Sequence, residues 1–362
     1  MGLETVISVN NRADPELADA ARIEVIERVG APTTFRLEYD VDISSGDLPR
    51  LVDDRFDPGA LLAILAPDRA GALSCLVKGP VHGQQIHLRH GGAGSTLAVL
   101  GADTAVIMDR ETRTAQWADV ADSDVVSAIL ANYGYRADVE STSAGHFTDK
   151  HTLIQRDSDL RFVQRLARRN GFHFWVTCDD QGVETAHFRR PVLAGEPVAD
   201  LTINLDNPNL EALDLRWDVE RPTSVVSAQL DLNSLDIIDG SAASGAQTVL
   251  GDLGLPAITG DTRSIHLLAP ADDAGDLQAR TGGLLAEADW FVQVTCQASV
   301  HNVGIPLRAH MLVNLRGAGS RHSGKYFVAG VRHVIDATAH TMEITLVRNG
   351  WLAAGGGGLP LV

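Results

Sequence analysis

Polar and apolar side chains alternate along Thr34-Phe35-Arg36-Leu37-Glu38-Tyr39-Asp40-Val41, the period-two pattern of a strand with one buried face. Residues 72–78, 85–89 and 96–100 predict further short strands, with Gly91-Gly92-Ala93-Gly94 as a turn between them. The pattern then becomes helical. Asp122-Ser123-Asp124 leads into Val125, Val126, Ile129 and Leu130, and the segment stops at Tyr133-Gly134. A clearer helix is predicted over residues 158–169. It opens on Asp157-Ser158-Asp159, carries Leu160, Val163, Leu166 and Ala167 on one face, and ends at Asn170-Gly171. Acids in its first turn and Arg165, Arg168 and Arg169 toward its end suit the helix dipole. Residues 172–176 read as an aromatic strand.

From about residue 197 the β pattern returns, with one strand expected over 223–232 and a helix over 272–289. The cleanest alternation of all follows, where Val292, Val294, Cys296, Ala298 and Val300 interleave with Gln293, Thr295, Gln297 and Ser299. Residues 311–315, 326–334 and 342–347 complete a second β-rich half. The expected fold class is therefore mainly β with α+β insertions. The divisions are 4–120, 121–196, 197–350 and a flexible Gly-rich tail over 351–362.

Composition narrows the function. The 362 residues exceed one ordinary domain, and 44% hydrophobic content at a mean hydropathy near zero allows a sizeable core. With 30 Lys+Arg against 47 Asp+Glu, the net charge of −17 opposes broad contact with a phosphate backbone. Cys75, Cys178 and Cys296 are widely spaced, odd in number and form no C-x-x-C pair, so they read as small core residues. The first residues show neither a basic nor an apolar leader region, and the longest apolar run, near 61–66, is too short to span a bilayer. The expectation is a chain made in the cytoplasm without membrane insertion.

Candidate chemistry is sparse. Gly319-Ser320-Arg321-His322-Ser323-Gly324-Lys325 fits G-x-x-x-x-G-K, but a phosphate-binding loop needs Ser or Thr next and a helix beneath it. Here Tyr326 follows and begins a strand pattern, so a glycine-rich hairpin turn is expected. Gly91–Gly94 leads into a strand and gives no dinucleotide fingerprint. No G-x-S-x-G and no H-E-x-x-H occurs. His146 and His151, with Asp149 between them, fit no standard metal spacing. His301, His310, His322, His333 and His340 fall on different elements, and Asp179-Asp180 and Asp272-Asp273 sit at turns or caps. No catalytic residue, metal ligand or cofactor is expected. Between Lys150 and Arg190, eight basic residues stand against five acidic ones, either a docking face for an acidic neighbour or a solvated helix face.

The stretch from Gln155 to Phe172 resembles the "Q-x-x-E-S-D-x-x-F-x-x-R-L-x-x-x-x-G" segment of the phage late control protein D family and of the hub region of VgrG-type proteins. Gln155, Ser158, Asp159, Leu160, Phe162, Arg165, Leu166 and Gly171 carry the likeness, and Asp157 stands where Glu is more usual. Farther on, Gly324, Tyr326 and His333, and the ending Arg348-Asn349, resemble that family's second barrel and final strand. The resemblance implies two tail-tube-like β-barrels plus a middle α/β region, with no catalytic role. It implies a homotrimeric baseplate hub of a contractile phage tail or injection system, joining a six-fold inner tube protein to a three-fold spike. Baseplate wedge proteins are its other implied partners, and no specific nucleic-acid binding is implied. VgrG-type chains continue into a needle, so the spike is expected as a separate protein, with the Gly-rich tail as its docking peptide or a disordered end. Another baseplate or tube-initiating component, or a tail-tip cell-wall hydrolase, is the alternative.

Overall fold

A computed structural model describes residues 4–41, 49–143, 145–148, 152–230, 235–242, 247–268 and 274–353. The expected tail over 351–362 therefore lies largely outside the described residues, as do Asp149, His151 and the start of the helix expected over 272–289.

The chain is mainly β. Thirteen strands form one sheet, whose order runs Leu213–Trp217, Val292–Ser299, His340–Arg348, Gly324–Asp336, Arg22–Arg28, Thr34–Asp40, Thr96–Ala102, Leu73–His87, Leu61–Pro67, Val6–Val9 and Arg12–Ala13. Leu312–Arg316 joins on Gly324–Asp336, and Asp200–Thr202 pairs with it in parallel. Antiparallel pairing of Arg22–Arg28 with Gly330–Asp336 runs the N-terminal and C-terminal halves into this one sheet. The path is open-ended, and no closed barrel is found among the described residues.

Each half packs its own core. Ile23, Val25, Phe35, Leu37, Leu62 and Leu97 belong to the first, and Val292, Val294, Val313, Tyr326, Ile344 and Leu346 to the second. The alternation at 292–299 is realised as drawn, since Val292, Val294, Cys296 and Ala298 are buried while Thr295 and Gln297 are exposed. Val300 instead starts a single helical turn.

Two expected strands, 72–78 and 85–89, are one strand, Leu73–His87. Its first part pairs with Leu61–Pro67 and its second with Thr96–Ala102, with register shifts along both pairings. Gly79 lies at the crossing. A Cβ there would stand 1.8 Å from the Ala102 carbonyl oxygen, so only glycine lets the strands approach this closely. The strand expected over 223–232 divides at Ser227, because Ser224–Val226 pairs with Ser264–His266 and Ala228–Leu230 with Ile237–Asp239.

A third core fills the middle region. Helix α1 (Asp122–Leu130) and helix α2 (Asp159–Arg169) contribute Val125, Val126, Ile129, Leu160, Phe162, Val163 and Leu166 to it. They pack on a small sheet of Arg136–Val139, Glu184–Arg189 and His173–Cys178. A short helix α3 (Leu255–Thr259) and the longer α4 (Ala274–Ala288) belong to the C-terminal half.

Candidate functional site: the signature helix and its joints

The Gln155–Gly171 signature is a set of structural joints. Ser158 caps α2, its hydroxyl accepting from the Arg161 amide at 3.4 Å and meeting the Asp109 carboxylate. Gln155 is almost fully buried and donates from Nε2 to Asp159 Oδ1 at 2.6 Å. The other Asp159 oxygen accepts from the Tyr133 hydroxyl at 2.7 Å and pairs with Arg113 at 3.0 Å. A buried carboxylate without these partners would be costly, so the Gln–Asp–Tyr–Arg set fixes the start of α2. Asp157 pairs with Arg165, whose guanidinium lies over the Phe162 ring at 5.1 Å. Leu160, Phe162 and Leu166 are core residues.

At the other end of α2, Arg169 and Asn170 converge on Asp122. The Asp122 carboxylate is fully buried. It accepts from Arg169 Nε at 3.0 Å and Asn170 Nδ2 at 2.7 Å, with His146 Nε2 at 2.8 Å. Burial alone would raise this carboxyl, but its hydrogen bonds and the Arg169 charge hold it below the usual range. Asp122, expected as a cap of α1, is thus an ion-pair centre, and Asp124 instead accepts from the Ala121 amide at 3.0 Å. Gly171 then turns the chain at φ +67°. A Cβ on Gly283 of α4 would meet the carbonyl oxygens of Arg168 at 2.6 Å and Arg169 at 2.8 Å, so this glycine sets the approach of α4 to α2.

The C-terminal signature residues form a second joint. Arg348 is buried and binds the carbonyls of Leu250 and, at 3.0 Å, Ser323, while its guanidinium lies 5.3 Å from the Tyr326 ring centre. Asn349 accepts from the Leu250 amide at 2.7 Å and donates to the Thr248 carbonyl at 2.9 Å. Together they bind the 248–250 segment to the last long strand. Gly324 (φ +123°) leaves room for Arg348, since a Cβ would come 3.2 Å from that guanidinium. His333 Nδ1 lies 3.0 Å from His340 Nε2, and burial holds both imidazoles below their ordinary pKa, His340 at about 4.

Sequence reasoning missed the contacts between regions. Cys75 and Cys178 form a disulfide between Leu73–His87 and His173–Cys178, with Cα atoms 5.7 Å apart. Reading them as independent core residues is therefore corrected; only Cys296 is a free buried thiol. A separation of 103 residues gives no local spacing by which to recognise the pair. Nearby, Lys78 pairs with Glu184 at 3.3 Å and donates to the Gly182 carbonyl at 2.7 Å. Buried Glu27 pairs with Arg308, which also donates to the carbonyls of Cys75 and, at 2.8 Å, Leu76. Burial raises the Glu27 carboxyl, and the Arg308 charge opposes this. Trp175 is stacked between His310 (3.7 Å between centres) and His187 (4.6 Å), with His173 edge-on to His310. Burial lowers all three imidazoles, His173 to about 4.

The basic segment is mostly spent within the chain. Arg161 faces Asp109, Arg165 Asp157, Arg169 Asp122 and Arg189 Asp138, while Arg190 comes only to 3.8 Å from Glu140. In the G-x-x-x-x-G-K segment, Gly319–His322 makes one helical turn instead of a plain hairpin turn. Lys325 donates to the Gly195 carbonyl at 3.1 Å. Among the described residues, no three His, Cys, Asp or Glu side chains are grouped to hold a metal, and no helix is long and apolar enough to cross a membrane.

This mainly β fold with an α/β middle region is similar to the folds of solved tail proteins. The chain matches the tail protein of Neisseria meningitidis MC58 at TM-score 0.68 and 14% identity, covering 96% of this chain and 97% of that one. The prophage MuSo2 43 kDa tail protein of Shewanella oneidensis gives 0.65 at 13% identity, covering 96% and 98%. The E. coli c3393 protein, a type VI secretion component described as similar to the T4 tail proteins gp27 and gp5, gives 0.57 at 12%, covering 98% and 79%. In sequence, the family model described as the Alg8 N-terminal domain matches residues 3–337, and the chain belongs to that family. No curated protein matches it in sequence.

Proposed function

We propose that this chain is a structural baseplate hub of a contractile tail-like injection machine, related to the late control protein D and VgrG-type hubs. The observation that carries the reading is the two-way match to tail proteins, which covers 96% of this chain and 97% and 98% of theirs. In support, signature residues work as a cap, ion-pair partners and clamps inside the fold.

In this reading three copies assemble into a ring, and the segments 4–120 and 197–350 are the two tube-like units that each copy contributes. Six such units meet the inner tube, and the three-fold axis receives a spike. Residues 121–196 form the middle region, and wedge proteins bind around the ring. The role needs broad complementary interfaces, with no catalysis, cofactor, nucleic-acid readout or membrane insertion. Electron microscopy of purified particles tests it. The expected result is a three-fold ring of this chain between tube and spike. A six-fold ring, absence from particles, or degradation of cell wall by the purified chain overturns it.

A further inference from the structure

Where the C-terminal end of α2 meets α4 and the large sheet, the chain leaves a two-lobed cleft. One lobe, about 370 Å³, is walled by Phe172, Trp290 and Phe327, with Arg168, Arg221 and Glu287 among its polar lining. The other, about 400 Å³, extends to Arg190 and Leu193. Gly171, Phe172, Gln247, Gly283 and Ala286 line both lobes, which makes the two one elongated feature.

Its electrostatics are opposite to those of the molecule. Among the described residues, three guanidiniums and one carboxylate, Glu287, line it, in a chain of net charge −17. These guanidiniums are poorly satisfied. The exposed Arg168 side chain has no hydrogen bond or ion pair among the described residues, Arg221 reaches Asp218 only at 3.9 Å, and the Arg190 guanidinium lies over the Phe172 ring and reaches Glu140 only at 3.8 Å. Arg221 Nε, Gln247 Oε1 and His173 Nδ1, all on residues of the cleft wall, have no hydrogen-bond partner among the described residues. Donors left without acceptors beside an aromatic wall suit a ligand that supplies acceptors.

We propose that this cleft binds an extended acidic peptide segment of another protein. An apolar side chain of the peptide packs on Phe172, Trp290 and Phe327, and carboxylates beside it meet Arg168, Arg221 and Arg190. Peptide amides and carbonyls meet Gln247 and His173. Glu287 on the rim and the neutral imidazole of His173 disfavour a polyphosphate chain. The proposal rests on the cleft alone and stands or falls apart from the hub reading.

The test probes an immobilised array of random hexapeptides with the full chain and with its R168E and E287Q variants. Both substituted side chains are exposed and unpaired, and circular dichroism checks that each variant is folded. The expected binders combine Asp or Glu with a bulky apolar residue, weaken roughly tenfold in R168E, and tighten in E287Q. No binders, basic or uncharged binders, or equal binding by folded R168E overturns the proposal. So does a wild-type chain that self-associates in sedimentation and is dissociated by R168E, because a second copy then fills the cleft.

Discussion

Replacing Cys75 and Cys178 by alanine removes the covalent link between the N-terminal half and the middle region. The cross-link closes a loop of 103 residues, and restricting a loop of that length in the unfolded chain is worth about 4–5 kcal/mol. Unfolding entropy of about 2.1 cal/mol/K per residue gives about 0.76 kcal/mol/K for 362 residues. The melting temperature should then fall by about 6 °C if the chain unfolds as one unit. The assay is scanning calorimetry of the oxidised chain, the reduced chain and the double alanine variant. Thiol titration in denaturant without reductant checks the bond itself. One reactive thiol, Cys296, is expected in the oxidised chain. Three thiols would refute the disulfide. A melting shift below about 2 °C with the bond verified would refute the argument that it restrains the unfolded state.

Other substitutions probe the remaining joints. Arg308→Ala leaves the buried Glu27 carboxylate without its partner and should cost about 3–5 kcal/mol in urea unfolding, whereas the double change Glu27→Leu with Arg308→Met should recover most of it. Gly283→Ala forces a Cβ to within 2.6 Å of the Arg168 carbonyl and should cost about 1–3 kcal/mol, read from the same curves; no loss would mean that α2 and α4 are free to separate. Because the folded-state pKa of His173 is depressed to about 4, its contribution is fully present above pH 6.5 and is lost as pH falls toward 4. His173→Phe keeps an aromatic ring and removes the titration, so wild type should lose about 2 kcal/mol of stability relative to the variant from pH 7 to pH 5, and a constant difference would contradict the assignment.

The sequence by itself determined the features that depend on neighbours along the chain. Period-two alternation located Thr34–Asp40 and Val292–Ser299, because a strand turns every second side chain to one face. Ser158, the apolar stripe and Gly171 bounded α2, because capping is satisfied within a few residues of the helix end. Even the Gln155–Asp159 contact spans only four positions.

Tertiary structure alone decided which distant groups meet. Nothing local pairs Cys75 with Cys178, Glu27 with Arg308 or Asp122 with Arg169, since these contacts form only after the sheet and helices have packed. Asp122 shows how this changes a residue's meaning. Local spacing reads it as a cap, but burial makes an unpaired carboxylate so unfavourable that Arg169, Asn170 and His146 must converge on it. The same dependence on packing divided the strand expected over 223–232 and fused two others at Gly79, where the clearance beside the Ala102 carbonyl admits no side chain.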